Sequence, residues 1–454
     1  MTVPLRFVWL AAVLLAAACS SASTVAPAPT APAASQTWLF TSDWHFNPYD
    51  EPALVNDLVR APATKWRSIL ERSNKPIVPY FQDTNFALLE SALAAMRAIA
   101  PNPPVVLIGG DSLAHHFRDT FFKLEPGAPE STYEAFVDKT MAFLAMEFDR
   151  TYPDAQFLIT LGNNDGYCGN YKSTPRSPFL AHMASAWEDL VNRNGAAPGF
   201  VHDFSVAGYY TATLPSRPPM PAIVLNSVFW SALYENACGR RGSDPGATEL
   251  DWLTAHLNGK HPLLLTHIPF GIDEYASLNA NEPVTLYNAR YTRRLLAIFA
   301  AKGIGPSAFV IGHIHHATFE IAPSGIGKIG AMIVPSITPS QGNNPAFVLA
   351  QIASSGPLIA DTTTYVLPLG LPSLAWTNLY SFDEAYGLTA FDAANLLQLQ
   401  AKMAKSVGVR RKFFHYYNSA STTATPAPAK WPWYWCGHVH LTPLPYAGCL
   451  ARHR

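Results

Sequence analysis

Charge is scarce in this chain, and neither sign dominates. Only 14% of its 454 residues are Asp, Glu, Lys or Arg, and they nearly cancel, leaving a formal net charge of −1. A nucleic-acid partner normally demands a basic face, so no nucleic-acid-binding surface is indicated. No nucleotide-binding glycine fingerprint, internal repeat or nucleophilic Ser or Cys motif stands out. Cysteine is limited to five positions: Cys19, Cys168, Cys238, Cys436 and Cys449. No Asn-x-Ser/Thr acceptor occurs anywhere, so N-glycosylation is not indicated.

What is present is a 49% hydrophobic composition, enough for a large core, behind an export leader. Arg6 precedes the apolar run Phe7–Ala18, which is too short to span a membrane and ends in small residues. Leu14-Leu15-Ala16-Ala17-Ala18-Cys19 resembles a bacterial lipoprotein signal, which makes Cys19 the expected lipid anchor; plain cleavage in the Ala-rich stretch is the alternative. Ser20–Gln36 holds only Ser, Ala, Thr, Val, Pro and Gln and reads as a flexible tether. The other four cysteines are an even number, as expected of two disulfides in an exported protein. Cys436–Cys449 is the local pair, leaving Cys168–Cys238, although three connectivities are open. Leader and missing glycosylation acceptors together point to a bacterial envelope or secreted protein.

The folded part begins near Thr37. Strands are expected at Thr37–Thr41, Val105–Ile108, Phe157–Leu161, Gly208–Thr213, Ala222–Phe229, Pro262–Thr266, Ala308–Ile311, Ala331–Pro335, Ala346–Ile352 and Thr364–Leu367. Helices are expected at Phe86–Ala100, with Asp83 or Thr84 as N-cap, and at Tyr133–Phe148, Ala247–Leu257 and Tyr291–Ala301. After about Leu371 the character changes. Ser381-Phe382-Asp383-Glu384 is a capping-box pattern opening a helical region that runs to about Phe414. The organisation read from this is a leader (1–19), a linker (20–36), a catalytic domain (37–370) and a helical, cysteine-containing C-terminal domain (371–454).

Five apolar runs end in metal-type residues: Asp43 with His45, Asp111, Asn163, His267, and His313 with His315. In extended backbone, residues two apart face the same way, so each paired block can give two side chains to one site. Parallel strands buried on both faces bring their carboxyl ends to one edge. Val105-Val106-Leu107-Ile108-Gly109-Gly110-Asp111 is the organising stretch: four buried positions, two glycines that admit close approach, then an acid that needs a positive partner. A lone D-x-H or H-x-H would mean little. Five blocks in this order mean more.

The order D-x-H, G-D, G-N-x-D/E, an isolated H and G-H-x-H resembles the calcineurin-like metallophosphoesterase superfamily over roughly Thr37–Leu367. Within it the chain looks most like the acid sphingomyelinase-like phosphodiesterases, through Gly110-Asp111-Ser112-Leu113-Ala114-His115, the Asn226…Cys238 segment and the tail with Tyr386-Gly387-Leu388. The resemblance implies an α/β fold with a central β-sandwich flanked by helices, and two divalent metal ions, usually zinc. Carried over by position, it gives Asp43, His45 and His315 to the first metal and Asn163, His267 and His313 to the second, with Asp111 bridging. Imidazole suits zinc, and a carboxylate bridges well.

The implied chemistry is phosphodiester hydrolysis by a metal-activated hydroxide, the substrate being a phospholipid, nucleotide or similar diester. Many relatives have His after the metal-binding Asn; here Asn164 stands there and can donate a hydrogen bond but no acid proton. His115, four residues after Asp111, is the expected proton donor to the leaving group, with His116 as fallback. Ala114 replaces the tyrosine ligand of purple acid phosphatases, which argues against an iron–tyrosinate centre. Trp44, Phe46, Phe117, Trp230 and Phe270 read chiefly as core, and His438 and His440 as surface groups. The competing readings are a phosphomonoesterase or polyphosphatase of the same fold, which Gly162-Asn163-Asn164-Asp165 favours, and a non-catalytic envelope binding protein.

Overall fold

The computed structural model describes residues 1, 36–216, 218–236, 244–257, 261–302, 308–325, 327–354, 358–423, 426 and 428–453. The leader, Cys19 and nearly all of the linker lie outside the described residues. So does Cys238, and with it the expected Cys168–Cys238 pair.

The described residues form twelve strands: β1 (Gln36–Thr41), β2 (Val105–Ile108), β3 (Gln156–Ile159), β4 (Tyr210–Leu214), β5 (Met220–Val224), β6 (Leu263–Thr266), β7 (Phe309–Ile311), β8 (Thr318–Ser324), β9 (Gly327–Ile333), β10 (Ala346–Ile352), β11 (Ile359–Val366) and β12 (Thr377–Ser381). They make two six-stranded sheets, in the orders β12-β11-β10-β1-β2-β3 and β4-β5-β6-β7-β9-β8. β1, β2 and β3 run parallel, as do β5, β6, β7 and β9, and the outer strands are antiparallel. β2, β3, β6 and β7 are buried along their whole length, as parallel strands covered on both faces must be.

One core lies between the sheets, where Leu107 and Phe157 of the first share a cluster with Leu265 and Val310 of the second. Helices Phe86–Ile99, Glu130–Thr151 and Pro178–Val191 bury their apolar faces in the same cluster. On the outer face of the second sheet, helices Pro245–His256 and Ala289–Lys302 enclose a second core around Leu253, Leu264 and Phe299. Among the described residues no helix is long and apolar enough to cross a membrane. The result is a mixed α/β sandwich.

Several boundaries differ from the sequence reading. The N-cap of Phe86–Ile99 is Asn85, whose side chain accepts from Leu88 N at 3.1 Å. Asp83 is occupied elsewhere, by His115. The run Ala222–Phe229 is strand only to Val224; Ser227–Trp230 is a 3-10 turn. Ser381 does not cap the backbone, because its hydroxyl donates to Asp383 Oδ1 at 2.9 Å. The residues after Leu371 begin with a strand, since β12 extends the first sheet beside β11. Helices then follow at Ala393–Lys405, Val407–Tyr417, Trp431–Gly437 and Pro443–His453. They pack Leu396, Leu399, Phe413 and Tyr434 against Phe319 and Ile321 of β8. Cys436 and Cys449 form the expected disulfide, tying the last two helices together. His438 is no surface group: it is 1% exposed, stacked on Phe319 at 4.0 Å. β8, which the sequence reading missed, covers it.

Candidate metal centre

Every expected ligand block stands just past the carboxyl end of a strand: Asp43/His45 after β1, Asp111 after β2, Asn163 after β3, His267 after β6, His313/His315 after β7. Backbone hydrogen bonds lock neighbouring exits together. Asp43 N donates to Gly110 O (3.0 Å), His45 N to Asp111 O (2.9 Å) and Gly312 N to His267 O (3.0 Å). Gly110 turns at φ +93°, and a Cβ on Gly162 would lie 2.0 Å from Asp111 Oδ1, so neither position admits a side chain. Asp43, His45, Asp111, His313 and His315 all have φ between +42° and +73°. Left-handed backbone at non-glycine residues is strained, and such strain clusters at functional sites.

The side chains converge. Asp111 Oδ2 is 3.4 Å from His45 Nε2 and 3.3 Å from His267 Nε2. Asp43 Oδ1 is 3.8 Å from His45 Nε2 and 3.4 Å from His315 Nε2. On the other side, His267 Nε2 lies 3.0 Å from Asn163 Oδ1 and 3.2 Å from His313 Nδ1. Asp111 thus belongs to both groups, as a bridging acid must. Donors bound to one tetrahedral zinc at ~2.0–2.2 Å stand ~3.3–3.6 Å apart, and the separations here, 3.0–3.8 Å, bracket that spacing.

Hydrogen bonding also fits a cation. Asp43 Oδ1 and His45 Nε2 are buried with no hydrogen-bond partner, a state that is unfavourable unless something positive occupies the space between them. Asp43 Oδ2 is already used, accepting from Ser42 Oγ (2.5 Å) and His313 N (3.0 Å). His45 Nδ1 faces Leu113 O at 3.0 Å and His267 Nδ1 faces Gly109 O at 2.7 Å. Those carbonyls accept a proton on Nδ1 and leave each Nε2 lone pair for the centre.

The electrostatics agree. Burial opposes ionisation of Asp111, but His267 and His45 outweigh it and hold the carboxyl well below its usual range. Asp43 falls to about 2, burial again being overcome, here chiefly by His315 and His45. Burial would lower His45 and His267, yet the carboxylates of Asp43 and Asp111 lift each to about 9. His313 is pushed down to about 4, by burial and then by His267. With no cation between them, the His45 and His267 imidazoliums balance the two carboxylates; a bound divalent ion would take over that role and displace their Nε2 protons.

His115 lies beside this cluster. Its ring stacks on His45 at 3.9 Å, and its Nδ1 and backbone N both approach Asp83, each at 2.8 Å. Asn164 is turned inward: its backbone N donates to Asp111 Oδ1 (2.7 Å) and its side-chain amide to Asp111 Oδ2 (2.8 Å). His116 is exposed and stands at the N-cap position of the helix Phe117–Leu124, with no capping bond from its side chain.

The sequence reading gave several supporting residues no part in the site. Asp165 accepts from Gly162 N, Ser112 N and Leu113 N, which ties the β2 and β3 exits together. Asp83, Asn170 and Tyr171 touch His115, Asn163 and His313 respectively. Asp165 was visible as the last residue of G-N-N-D; the others carry no local signal.

Two clefts open near the centre. One of about 530 Å³ is lined by His313, Phe81, Tyr275, Tyr417 and Tyr434 among others. The second, about 310 Å³, is lined by His115, Asn164, Arg118 and Lys172 among others. Trp44, Phe46, Phe117, Trp230 and Phe270 are buried, as core residues should be.

No family model matches the chain. It is 22% identical over 394 residues to a Mus musculus protein named acid sphingomyelinase-like phosphodiesterase 3b, covering 82% of this chain and 81% of that protein. It is 24% identical over 357 residues to sphingomyelinase phosphodiesterase D of Dictyostelium discoideum, covering 75% and 74%. Among solved structures, a dimetal phosphatase from Danio rerio covers 76% of this chain and 99% of its own, at 12% identity and a TM-score of 0.38.

Proposed function

We propose that this metal-dependent phosphoesterase, a relative of the acid sphingomyelinase-like phosphodiesterases, is an exported phosphodiesterase that works with two zinc ions. The observation that carries the reading is the gathering of six donors from four strand exits around one shared acid from a fifth, Asp111. Asp43, His45 and His315 would hold one ion, Asn163, His267 and His313 the other, and Asp111 both. A pair of divalent cations, when bound, polarises phosphoryl oxygens and supplies hydroxide near neutral pH.

The protein's own residues set the stage for that chemistry. Leu113 O and Gly109 O orient two of the imidazoles. Asn164 holds the Asp111 carboxylate through two hydrogen bonds, so its role is positioning rather than acid catalysis. His115 stands at the edge of the smaller cleft with Nδ1 on Asp83, which leaves Nε2 to deliver a proton to the departing alkoxide. One cleft reaches His313 and another reaches His115 and Asn164, so there is room near the centre for more than one substituent, which supports a diester. Export is supported by the leader pattern and by the Cys436–Cys449 disulfide, a bond that persists in oxidising compartments.

The test is a rate panel on bis-p-nitrophenyl phosphate, p-nitrophenyl phosphate, polyphosphate, sphingomyelin, other phospholipids and nucleotides, run beside elemental analysis. Asp111→Asn should lose both metal and diester hydrolysis. Faster turnover of monoester or polyphosphate would favour the alternative enzyme readings. Two bound metals with no phosphoester turned over would favour a binding protein.

A further inference from the structure

A metal-binding carboxamide has a problem that a carboxylate lacks. Its two ends are nearly the same shape, but only the oxygen can bind a cation; the NH2 group repels it. Something must fix which end of Asn163 faces the centre.

The loop after β3 does this. Asn163 Nδ2 donates to Asn170 Oδ1 at 2.7 Å, which leaves Asn163 Oδ1 facing His267 Nε2 at 3.0 Å. The next residue of the loop reaches the same half of the site. Tyr171 N donates to Asn163 O at 2.8 Å, and the Tyr171 hydroxyl lies 3.5 Å from His313 Nε2, behind the Nδ1 that faces His267. Two consecutive side chains therefore back two of the three residues that belong to the second ion alone. The loop is held in that pose. Tyr171 sits at φ +57°, Lys172 N bonds Gly169 O (3.1 Å), and Glu235 N bonds Tyr171 O (2.8 Å).

We infer that Asn170 is a positioning residue that selects the oxygen of Asn163 for the second cation, making affinity at that ion dependent on the Gly169–Tyr171 loop. The inference rests on the two-ion reading above. It separates the ions: among the described residues the hydrogen bonds of Asn170 and Tyr171 reach Asn163 and His313 but not Asp43, His45 or His315, so the second ion should feel the loop more than the first.

The experiment is Zn²⁺ titration of the chelated full-length chain against a competing chelator. Wild type should bind two ions. Asn170→Ala should keep the first within about threefold of its affinity and weaken the second ~10–100-fold, the usual effect of removing a residue that orients a ligand. Asn170→Leu, of similar shape but without an acceptor, should do the same should the alanine variant fold poorly. Asn170→Asp keeps the acceptor and should restore the second ion. Unchanged affinity at both sites, equal weakening of both, or failure of the aspartate to rescue would overturn the role of Asn170. Fewer than two ions in wild type would overturn the two-ion reading along with it.

Discussion

Replacing Glu320 by glutamine should strengthen the fold at neutral and alkaline pH and leave it unchanged in acid. Glu320 sits on β8, 2% exposed, where the C-terminal helices pack. One oxygen accepts from Phe270 N at 3.2 Å, and the other lies so close to Gly271 that a Cβ there would be 2.2 Å away. Burial raises its carboxyl to about 8 from an ordinary 4.5, despite the backbone donors. Glu274 is raised well above its ordinary value too, by burial and then by Glu320 itself. Below pH 4.5 both the folded and the unfolded carboxyl are protonated, and no penalty arises. Between 4.5 and 8 the folded protein keeps a proton that the unfolded chain has released, so stability falls as pH rises. Above 8 the penalty is complete. The gap is worth ~5 kcal/mol in full and ~3 kcal/mol at pH 7. Glutamine keeps the acceptor for Phe270 and never ionises. Denaturant unfolding of both chelated proteins from pH 4 to 9 is the assay. Coincident curves at pH 4 should diverge to several kcal/mol at pH 8.5, with the variant more stable. Parallel profiles across the range would refute the reasoning.

Three further outcomes are expected. His115→Ala should lower kcat ~10²–10⁴-fold on an ester with a poor leaving group and far less on a p-nitrophenyl ester, whose leaving group needs no proton; equal losses on both would remove His115 as acid. Gly162→Ala places a methyl on Asp111 Oδ1 and backbone N, and should abolish metal uptake while far-UV circular dichroism stays native, as read by elemental analysis. The double change Cys436→Ser with Cys449→Ser opens a loop whose ends are 13 apart in sequence and should destabilise by ~3 kcal/mol in denaturant melts.

The candidate metal centre was legible because each candidate ligand block follows its own buried strand, and both signals are local. Asp111 after Val105–Ile108 is the plainest case. What was illegible came from distant partners. Asp83 read as a helix cap because it lies close before Phe86, but it binds His115, 32 residues away, and Asn85 caps instead. Nothing near Asn170 in sequence announces that it meets Asn163. His438 read as exposed because nothing near it in sequence announces its cover, which is an apolar surface from the distant β8. β12 was missed because an edge strand that is mostly half-exposed shows no buried alternation. Cys168 is disulfide-bonded as expected, with its partner outside the described residues, and the lipid anchor at Cys19 rests on sequence alone.

The left-handed bends at Asp43, His45, Asp111, His313 and His315 carry an evolutionary consequence. Each opposes the fold by roughly 1 kcal/mol that glycine would not. Glycine would relieve that strain but would orphan the donors that Asp43 and Asp111 satisfy and empty the space the buried imidazoles fill. Drift away from these side chains would therefore trade backbone strain for lost packing and unpaired donors.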